Sequence, residues 1–568
     1  MPQVFTVPFL WRICVNFIAD NMEKFSKKSS TSELEAIDAE AVPFCNFQEL
    51  PSTVLEELVK TLSTKRRDNY RQFIALLMVP NLSTLNLSIC DKNELSHLVP
   101  LAAKNCPNLT SLVITGRPYI EEDYFSFIQN FTKLEILNIS KTYTPEKFWN
   151  ILGTHCKDLR ELYASQSLLT DTGIEWLCVI GKCKSIQILD LTRTAVTYEG
   201  ITKALEHLPS LRKLKHWQTI RVLAQIYKRA VDEKLSDIPK FTLSSIKSTN
   251  FTPKWNRDVG LADVGLAVHI CPLITELHIH SYLTNITDND LLGLLPLEKL
   301  EHFYISLSLN ANFTFDGGLT PFLKATGNSL KELDINMVLE VDYIPTITRH
   351  CSNLRSLGLY FNHTRLCSVG QRNSFSRNRT KLERPILNYL EILNLVEPRS
   401  IIHPESLCLL LSSPSLKSIS ISSCGTLTDD MLQEAANLHS FNKLESFELS
   451  ECNLVTIKIL DLLMKATNPL EWIWLTWKQR EPKGFKKILC RWKKQMAKNH
   501  WNVSLSADYY DDVSDVESED EEITDSDEEI SDVDSEEISD SDSEDSPAED
   551  SEESSSTDSN EELLIIDG

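Results

Sequence analysis

Residues 416–429 read LKSISISSCGTLTD, and this short stretch decides the fold. Ile419 and Ile421 are two residues apart, so they lie on the same side of an extended strand whose other side carries serines. A turn follows, and Thr428 and Asp429 then carry side-chain oxygens that satisfy the free N–H groups of a helix start. The stretch therefore predicts a short strand, a turn and the first residue of a helix.

The spacing aliphatic-x-x-aliphatic-x-aliphatic recurs along most of the chain. The gap between 211 and 274 is assigned a degenerate copy at Ile238, Phe241 and Leu243, and most other spacings are 24–30 residues. Self-similarity at such a period is typical of solenoids, in which each unit buries its apolar face against its neighbours. The first aliphatic positions of the other copies are 82, 109, 134, 159, 186, 211, 274, 300, 330, 354, 390, 416, 444 and 470.

Cysteines keep a constant place in these repeats. Five of them, including Cys106 and Cys351, stand three residues before a first position, and three, including Cys424, follow a last position by three residues. The pattern resembles the cysteine-containing leucine-rich repeats that are common in ubiquitin-ligase receptors. The resemblance implies an α/β solenoid over 80–500 with about 14–15 repeats, its parallel strands on the concave face and its helices on the convex face.

The same cysteines have a second interpretation as zinc ligands. The chain has no closely spaced Cys-x-x-Cys pair, which is the usual half of a structural zinc site. Small buried thiols that fill the repeat core explain the spacing better. We therefore expect no metal and no cofactor.

One row of strand residues points outward between the last two consensus positions of each repeat. The row mixes charges of both signs with aromatic side chains, whereas a nucleic-acid surface would be more uniformly basic. Aromatic side chains often anchor protein partners, although an ordinary solvated surface accounts for many positions of the row. The candidate substrate-binding residues are Tyr163, His278, Tyr304, Trp472 and Trp474.

The segment 1–79 precedes the first repeat and contains two helical patterns. Leu10, Cys14 and Ile18 recur every four residues, so they share one helix face. In the second pattern Pro51 stands at a helix start, and Val54 and Leu58 follow one turn apart. We expect two short amphipathic helices here.

Together the two patterns resemble a VHL box. The resemblance implies that the first helix binds elongin C, in complex with elongin B, and that the second selects a cullin. The adaptor-binding candidates are Leu10, Cys14 and Ile18. The cullin-binding candidates are Leu50, Pro51, Val54 and Leu58.

Two other interpretations of this segment stay open. Residues 50–55 also resemble the opening of an F-box, which would bind a Skp-type adaptor instead of elongin C. Alternatively, both helices only cover the apolar edge of the first repeat, as the ends of solenoids require.

The segment 501–568 is strongly acidic. From Asp508 onward it has 29 of the 81 acidic residues and no Lys or Arg, which leaves 52 acidic against 57 basic residues before it. Such a segment cannot bury enough apolar surface to fold, so we expect a disordered tail. Serines before acids resemble sites of acidophilic kinases, and the aliphatics of 561–567 resemble a SUMO-interacting motif. Histones are a further candidate partner of this tail.

The motifs of common enzymes are absent from the sequence, including the phosphate-binding glycine loop, the His-Glu-x-x-His zinc motif and the nucleophile elbow. The chain also lacks an apolar run that would span a membrane. We therefore expect a non-catalytic substrate-recognition subunit of a cullin-RING ubiquitin ligase, located in the cytoplasm, the nucleus or both. The alternatives are an F-box receptor and an acidic-tailed nuclear scaffold that binds histones.

Overall fold

The computed structural model describes residues 10–23, 47–65, 70–116, 126–247, 261–281, 287–307, 314–337, 342–361, 387–398, 401–465, 469–478, 484–499 and 501–510. One parallel sheet runs through them, and its 16 strands follow one another in chain order. Strands β1 to β16 are Thr84–Asn86, Ser111–Val113, Ile136–Asn138, Glu161–Tyr163, Ile188–Asp190, Lys213–Lys215, Ser245–Lys247, Glu276–Ser281, His302–Leu307, Glu332–Met337, Ser356–Phe361, Ile392–Val396, Ser418–Ser422, Ser446–Ser450, Trp472–Lys478 and Ser504–Tyr510.

The repeat pattern sets the register of this sheet. Leu85 pairs with Leu112 and Leu112 with Leu137, so the middle consensus positions form one continuous row. The side chains of this row are buried, while the residues on either side of them are partly exposed. Alternate strand residues face opposite sides of a sheet, so each strand contributes its consensus residues to the core. The chain is an α/β leucine-rich-repeat solenoid, as predicted.

Helices and helical turns cover the other side of the core. Helices α1 to α16 are Leu10–Asp20, Ser52–Lys65, Tyr70–Leu77, Lys92–Asn105, Glu146–His155, Asp171–Ile174, Tyr198–His207, Thr219–Asp232, Leu261–His269, Asp288–Leu292, Thr320–Thr326, Ile344–His350, Pro404–Leu411, Asp429–His439, Ile459–Lys465 and Phe485–Asn499. Shorter 3₁₀ turns are Phe47–Glu49 and Ser126–Asn130, and π-helical turns are Glu175–Val179 and Phe315–Leu319.

The degenerate repeat was placed wrongly. Lys213 pairs with Ser245, and Ile246 pairs with Leu277, so Ile246 holds the middle consensus position rather than Phe241. The repeat therefore starts at Leu243, five residues later than predicted. The register is hidden in the sequence because the last consensus position is Ser248 instead of an aliphatic residue.

The solenoid also extends beyond the predicted boundary at residue 500. Strand β16 pairs with β15 over seven residues, from Trp472 with Ser504 to Lys478 with Tyr510. Trp501 and Val503 are buried in the same core. Residues 501–510 of the predicted acidic tail thus belong to the folded solenoid, and Ser504–Tyr510 belong to its sheet. Val513–Gly568, with the predicted kinase and SUMO motifs, lie outside the described residues.

The Thr-Asp turns connect neighbouring repeats instead of capping their own helix only. The Asp429 carboxylate accepts hydrogen bonds from the backbone N–H of Thr456 at 2.9 Å and from its hydroxyl at 2.7 Å. Asp288 binds the backbone and hydroxyl of Thr314 in the same way, at 2.7 and 3.1 Å. Each carboxylate therefore lies at the start of the helical segment of the following repeat, 26 or 27 residues later, where the free N–H groups favour negative charge.

The cysteines at the recurring repeat positions fill the core as free thiols. Cys183 Sγ lies 3.1 Å from the carbonyl oxygen of Cys156, and Cys156 Sγ lies 3.7 Å from that of Phe131. Each thiol thus donates to the carbonyl of the preceding repeat. Burial raises the pKa of both thiols to about 12, so both are protonated at neutral pH.

Candidate functional site

Helix α1 has two apolar faces, and only one of them is buried. Val15, Ala19 and Met22 are at most 2% exposed and belong to the hydrophobic core. Their spacing of four and three residues places them on one side of the helix, which packs against α2. The inner face therefore fixes α1 to the body of the protein.

The outer face of α1 is exposed although it is equally apolar. Leu10 is 76% exposed, Ile13 41% and Phe17 59%, and Cys14 is exposed as well. Positions i, i+3, i+4 and i+7 form one continuous stripe along a helix. We call Leu10, Ile13, Cys14 and Phe17 the α1 stripe.

The sequence predicted part of this stripe. It named Leu10 and Cys14, which lie in the stripe, and Ile18, which is half-buried against the core at the edge of the inner face. It missed Ile13 and Phe17, whose spacing from Leu10 would have identified them.

The residues assigned to cullin binding lie at and within α2. Pro51 is exposed just before the helix, whereas Leu50 and Val54 are half-buried against the core. Leu58 is 0% exposed. Its side chain packs inside the protein, so in this structure it can influence a partner only through the position of α2.

Helix α2 also covers the first repeat. Leu55, Val59 and Leu62 are buried with Leu58 and join the same core as Leu85 of β1. Helix α2 contacts α1, α3 and β1. The cap interpretation therefore describes α2, but the α1 stripe faces away from the repeat it would have to cover.

The open face of the sheet consists of the strand residues that point away from the helices. Here the Tyr163 hydroxyl donates to Glu161 Oε2 at 2.8 Å, and the Lys215 ammonium lies 5.7 Å from the centre of the Tyr163 ring. Burial, assisted by the bond to Glu161, raises the pKa of Tyr163 to about 12, which keeps the phenol protonated. His278 on β8 and Tyr304 on β9 lie four and five strands away from Tyr163, and their rings stack with centres 5.6 Å apart.

Trp472 and Trp474 form a second aromatic pair on the open face, on β15. Their ring centres are 5.7 Å apart, and Trp474 is 40% exposed. Trp474 pairs with Glu448 on β14 and Ser506 on β16. The predicted substrate residues thus divide into one group on β4, β8 and β9 and another on β15, and five strands, β10 to β14, separate β9 from β15.

Among the described residues, no three His, Cys, Asp or Glu side chains come together in a way that could hold a metal ion. In the same part of the chain, no helix is both long and apolar enough to cross a membrane.

Two solved structures are similar to this chain. The crystal structure of yeast Rad7 in complex with Elc1 aligns over 80% of this chain and 96% of its own, with 17% identity and a TM-score of 0.39. An internalin, InlF, from Listeria monocytogenes aligns over 75% and 89%, with 14% identity and a TM-score of 0.33. No protein-family model and no curated protein sequence matches the chain.

Proposed function

We propose that this protein is a non-catalytic substrate receptor of a cullin-RING ubiquitin ligase, acting in the cytoplasm or nucleus. In this proposal the α1 stripe binds elongin C, with elongin B, and the open face of the solenoid binds the substrate. The receptor accelerates ubiquitin transfer by holding the substrate near the rest of the ligase, which raises the effective concentration of the reacting groups.

The α1 stripe is the observation that carries this proposal. Leu10 and Phe17 expose most of their surface to water on a helix whose opposite face is anchored by Met22 and Ala19. An exposed apolar surface held rigidly is typical of a protein interface, and helices often enter grooves of a partner through residues at i, i+3, i+4 and i+7. Leu10 and Cys14 are the residues that match the elongin C motif.

The accessible cullin-binding candidates lie at the start of α2 and not on the α1 stripe. Pro51 is exposed and Val54 is half-buried, so these two residues are accessible for a direct contact, whereas Leu58 supports α2 from within. We therefore assign the cullin contact to the surface around Pro51 and the start of α2.

Co-purification of tagged full-length protein tests the adaptor assignment. Leu10→Ala combined with Cys14→Ala removes two side chains from the stripe and should sharply reduce recovery of elongin C. Truncation of a well-packed interface anchor costs at least ~2 kcal/mol, which is roughly a thirtyfold loss of affinity. The melting temperature should stay close to wild type because both side chains are exposed.

A matched control is Leu438→Ala on α14, because Leu438 is 66% exposed but lies far from α1 in the chain. This variant should retain elongin C. If the Leu10 and Cys14 double variant also retains every ligase subunit, the α1 stripe is not the adaptor site. A wild-type protein that captures no adaptor at all would overturn the receptor proposal itself.

The same experiment separates the alternatives. Recovery of a Skp-type adaptor through the segment around Leu50 and Pro51 would support the F-box interpretation. Recovery of histones alone, lost when 511–568 is deleted, would support the chromatin-binding scaffold. Neither result is expected to depend on Leu10.

A further inference from the structure

Lysines occur on the open face of the sheet almost entirely on two neighbouring strands. Lys213 and Lys215 lie on β6 and Lys247 lies on β7, whereas the other described strands present no Lys or Arg there apart from Lys478 at the end of β15. The three lysines come together because β6 pairs directly with β7. They form what we call the lysine cluster.

Two carboxylates, Asp190 on β5 and Glu276 on β8, flank the lysine cluster on the neighbouring strands. Lys213 Nζ lies 3.3 Å and Lys247 Nζ 2.5 Å from the two oxygens of Glu276, and Lys215 Nζ lies 3.2 Å from Asp190 Oδ2. The lysine side chains are 34–43% exposed, whereas those of Glu276 and Asp190 are 19% and 13% exposed. In these ion pairs the positively charged lysines are therefore more exposed to solvent than the carboxylates.

This arrangement keeps the Glu276 carboxyl ionised. Hydrogen bonds from His278, then from Lys247 and Ser245, hold the pKa of the Glu276 carboxyl well below its ordinary value, against the effect of burial. A permanent carboxylate keeps Lys213 and Lys247 in place before any ligand arrives. Such preorganisation lowers the entropy cost of binding.

The ammonium groups retain capacity for a ligand. Each has three N–H donors, and the bonds to Glu276 and Asp190 use only part of them. The cluster surrounds a cavity of about 200 Å³ that is lined by Tyr163, Lys213, Lys215, Ser245 and Lys247, with Ile188 and Leu214. This space suits one compact anion at the end of a short side chain.

The surroundings of the cluster restrict what can bind. Glu161 lies on the open face two strands to one side of β6, and Glu332 and Asp334 lie three strands to the other side of β7. An extended acidic peptide would place negative charge against these carboxylates. A single phosphate with basic neighbours would instead match both the cluster and its flanks.

We propose that the lysine cluster binds a phosphorylated serine or threonine of a partner protein, in a segment with Lys or Arg on either side of the phosphate. Phosphate adds nearly two negative charges and three strong acceptor oxygens, which charged donors bind through short hydrogen bonds. As a substrate site this proposal rests on the receptor function, whereas phosphopeptide binding itself does not.

A degenerate peptide pool tests the proposal on the full-length protein. Nine-residue peptides with a central phosphoserine or phosphothreonine and random flanks are captured on immobilised protein and sequenced, beside an otherwise identical unphosphorylated pool. We expect at least tenfold preferential recovery of the phosphorylated pool, with Lys and Arg enriched in the flanks. Equal recovery of the two pools would overturn the proposal, and so would enrichment of Asp and Glu.

Two variants locate the binding. Lys213→Gln with Lys247→Gln keeps the length of both side chains but removes their charge, so recovery of the phosphorylated pool should fall at least tenfold. Lys228→Gln is the control, because Lys228 has a comparable ion pair with Asp263 at 3.1 Å on the helical side. Unchanged recovery with the double variant, or equal losses with both, would show that the cluster is not the site.

The test also separates this proposal from the proposed receptor function. Lys213→Gln with Lys247→Gln should leave elongin C recovery intact, because neither residue lies near α1. Phosphopeptide binding without elongin C recovery would remove the ligase assignment and keep the site. Elongin C recovery without a preference for phosphopeptides would keep the ligase assignment and overturn the phosphate site.

Discussion

Because His216 is buried, we expect the repeat that contains β6 to lose stability in mild acid. His216 occupies the last consensus position of the β6 repeat, where most other repeats carry an aliphatic residue, and it is 1% exposed. Its Nδ1 accepts a hydrogen bond from the backbone N–H of Gln218 at 3.2 Å. Its Nε2 has no hydrogen-bond partner among the described residues. Burial lowers the pKa of His216 to about 4, although the nearby Asp171 carboxylate acts in the opposite direction.

The sign follows from comparing the two states. In the unfolded chain the histidine has its ordinary pKa of 6.5, whereas in the folded protein its pKa is about 4. Between these values the unfolded chain binds more protons, so the free energy of unfolding decreases as the pH falls from about 6.5 to 4 and levels off below that. At about 1.4 kcal/mol per pKa unit, the contribution lost is about 3 kcal/mol.

Hydrogen–deuterium exchange measures this effect locally, in the peptides that cover 211–223. Protection of these peptides should weaken between pH 6.5 and 4 in the wild type, after correction for the intrinsic exchange rate. His216→Leu restores the aliphatic residue and should remove most of this change. His155→Gln is the control, because His155 is exposed at the end of α5 and should leave the pH dependence unaltered. Equal pH dependence in His216→Leu and the wild type would refute the assignment of a buried neutral histidine.

Three further predictions concern the architecture. Asp429→Ala removes the two hydrogen bonds to Thr456 and should destabilise the junction between these repeats by about 1 kcal/mol. This loss should appear as a lower midpoint of urea unfolding, and an unchanged midpoint would mean that these hydrogen bonds contribute nothing to stability. Deleting 511–568 should leave the melting temperature nearly unchanged, whereas deleting 501–568 also removes β16 and should lower it; equal melting of the two would contradict the position of this strand. Leu333→Asp places a charge in the core and should unfold the neighbouring repeats, since such burial costs several kcal/mol; normal melting measured by circular dichroism would contradict the register.

Most of the sheet could be predicted because its period is carried by large aliphatic residues. Where the consensus weakens, the prediction failed in a definite way. β7 was misplaced by five residues because its last consensus position is the polar residue Ser248, and β16 was assigned to the tail because it carries Ala507 there and is followed by acidic residues. In both strands the pairing with a neighbour, rather than the local sequence, determines the register.

The same error concealed the lysine cluster. With the β7 repeat placed at Phe241, the outward row passes from Lys215 directly to His278 and omits Lys247. The true pairing of Ser245 with Lys213 and of Lys247 with His278 brings the third lysine beside the others. A site built from residues more than thirty positions apart depends on strand register, so the sequence could not predict it.

The α1 and α2 helices show a different limit. Both faces of α1 are apolar, and on α2 Val54, Leu55 and Leu58 stand close enough to form one broad apolar face. The sequence therefore identifies amphipathic helices but not which apolar residues turn inward, since that is decided by packing against a neighbouring element. The structure resolves the ambiguity by burying Leu58 and leaving Leu10 exposed.

The placement of the two proposed sites has a mechanical consequence for a receptor that acts by proximity. The lysine cluster on β6 and β7 is five to six strands from β1, which corresponds to roughly 25 Å along the sheet at about 4.8 Å per strand. Asp171, which binds the backbone N–H of Thr197 at 2.7 Å, joins two repeats within this interval. Because each repeat of a solenoid contacts chiefly its neighbours, the stiffness of these junctions sets how constant that separation is. A substrate bound at the lysine cluster would then be held at a nearly fixed distance from an adaptor on α1, which is what transfer by proximity requires.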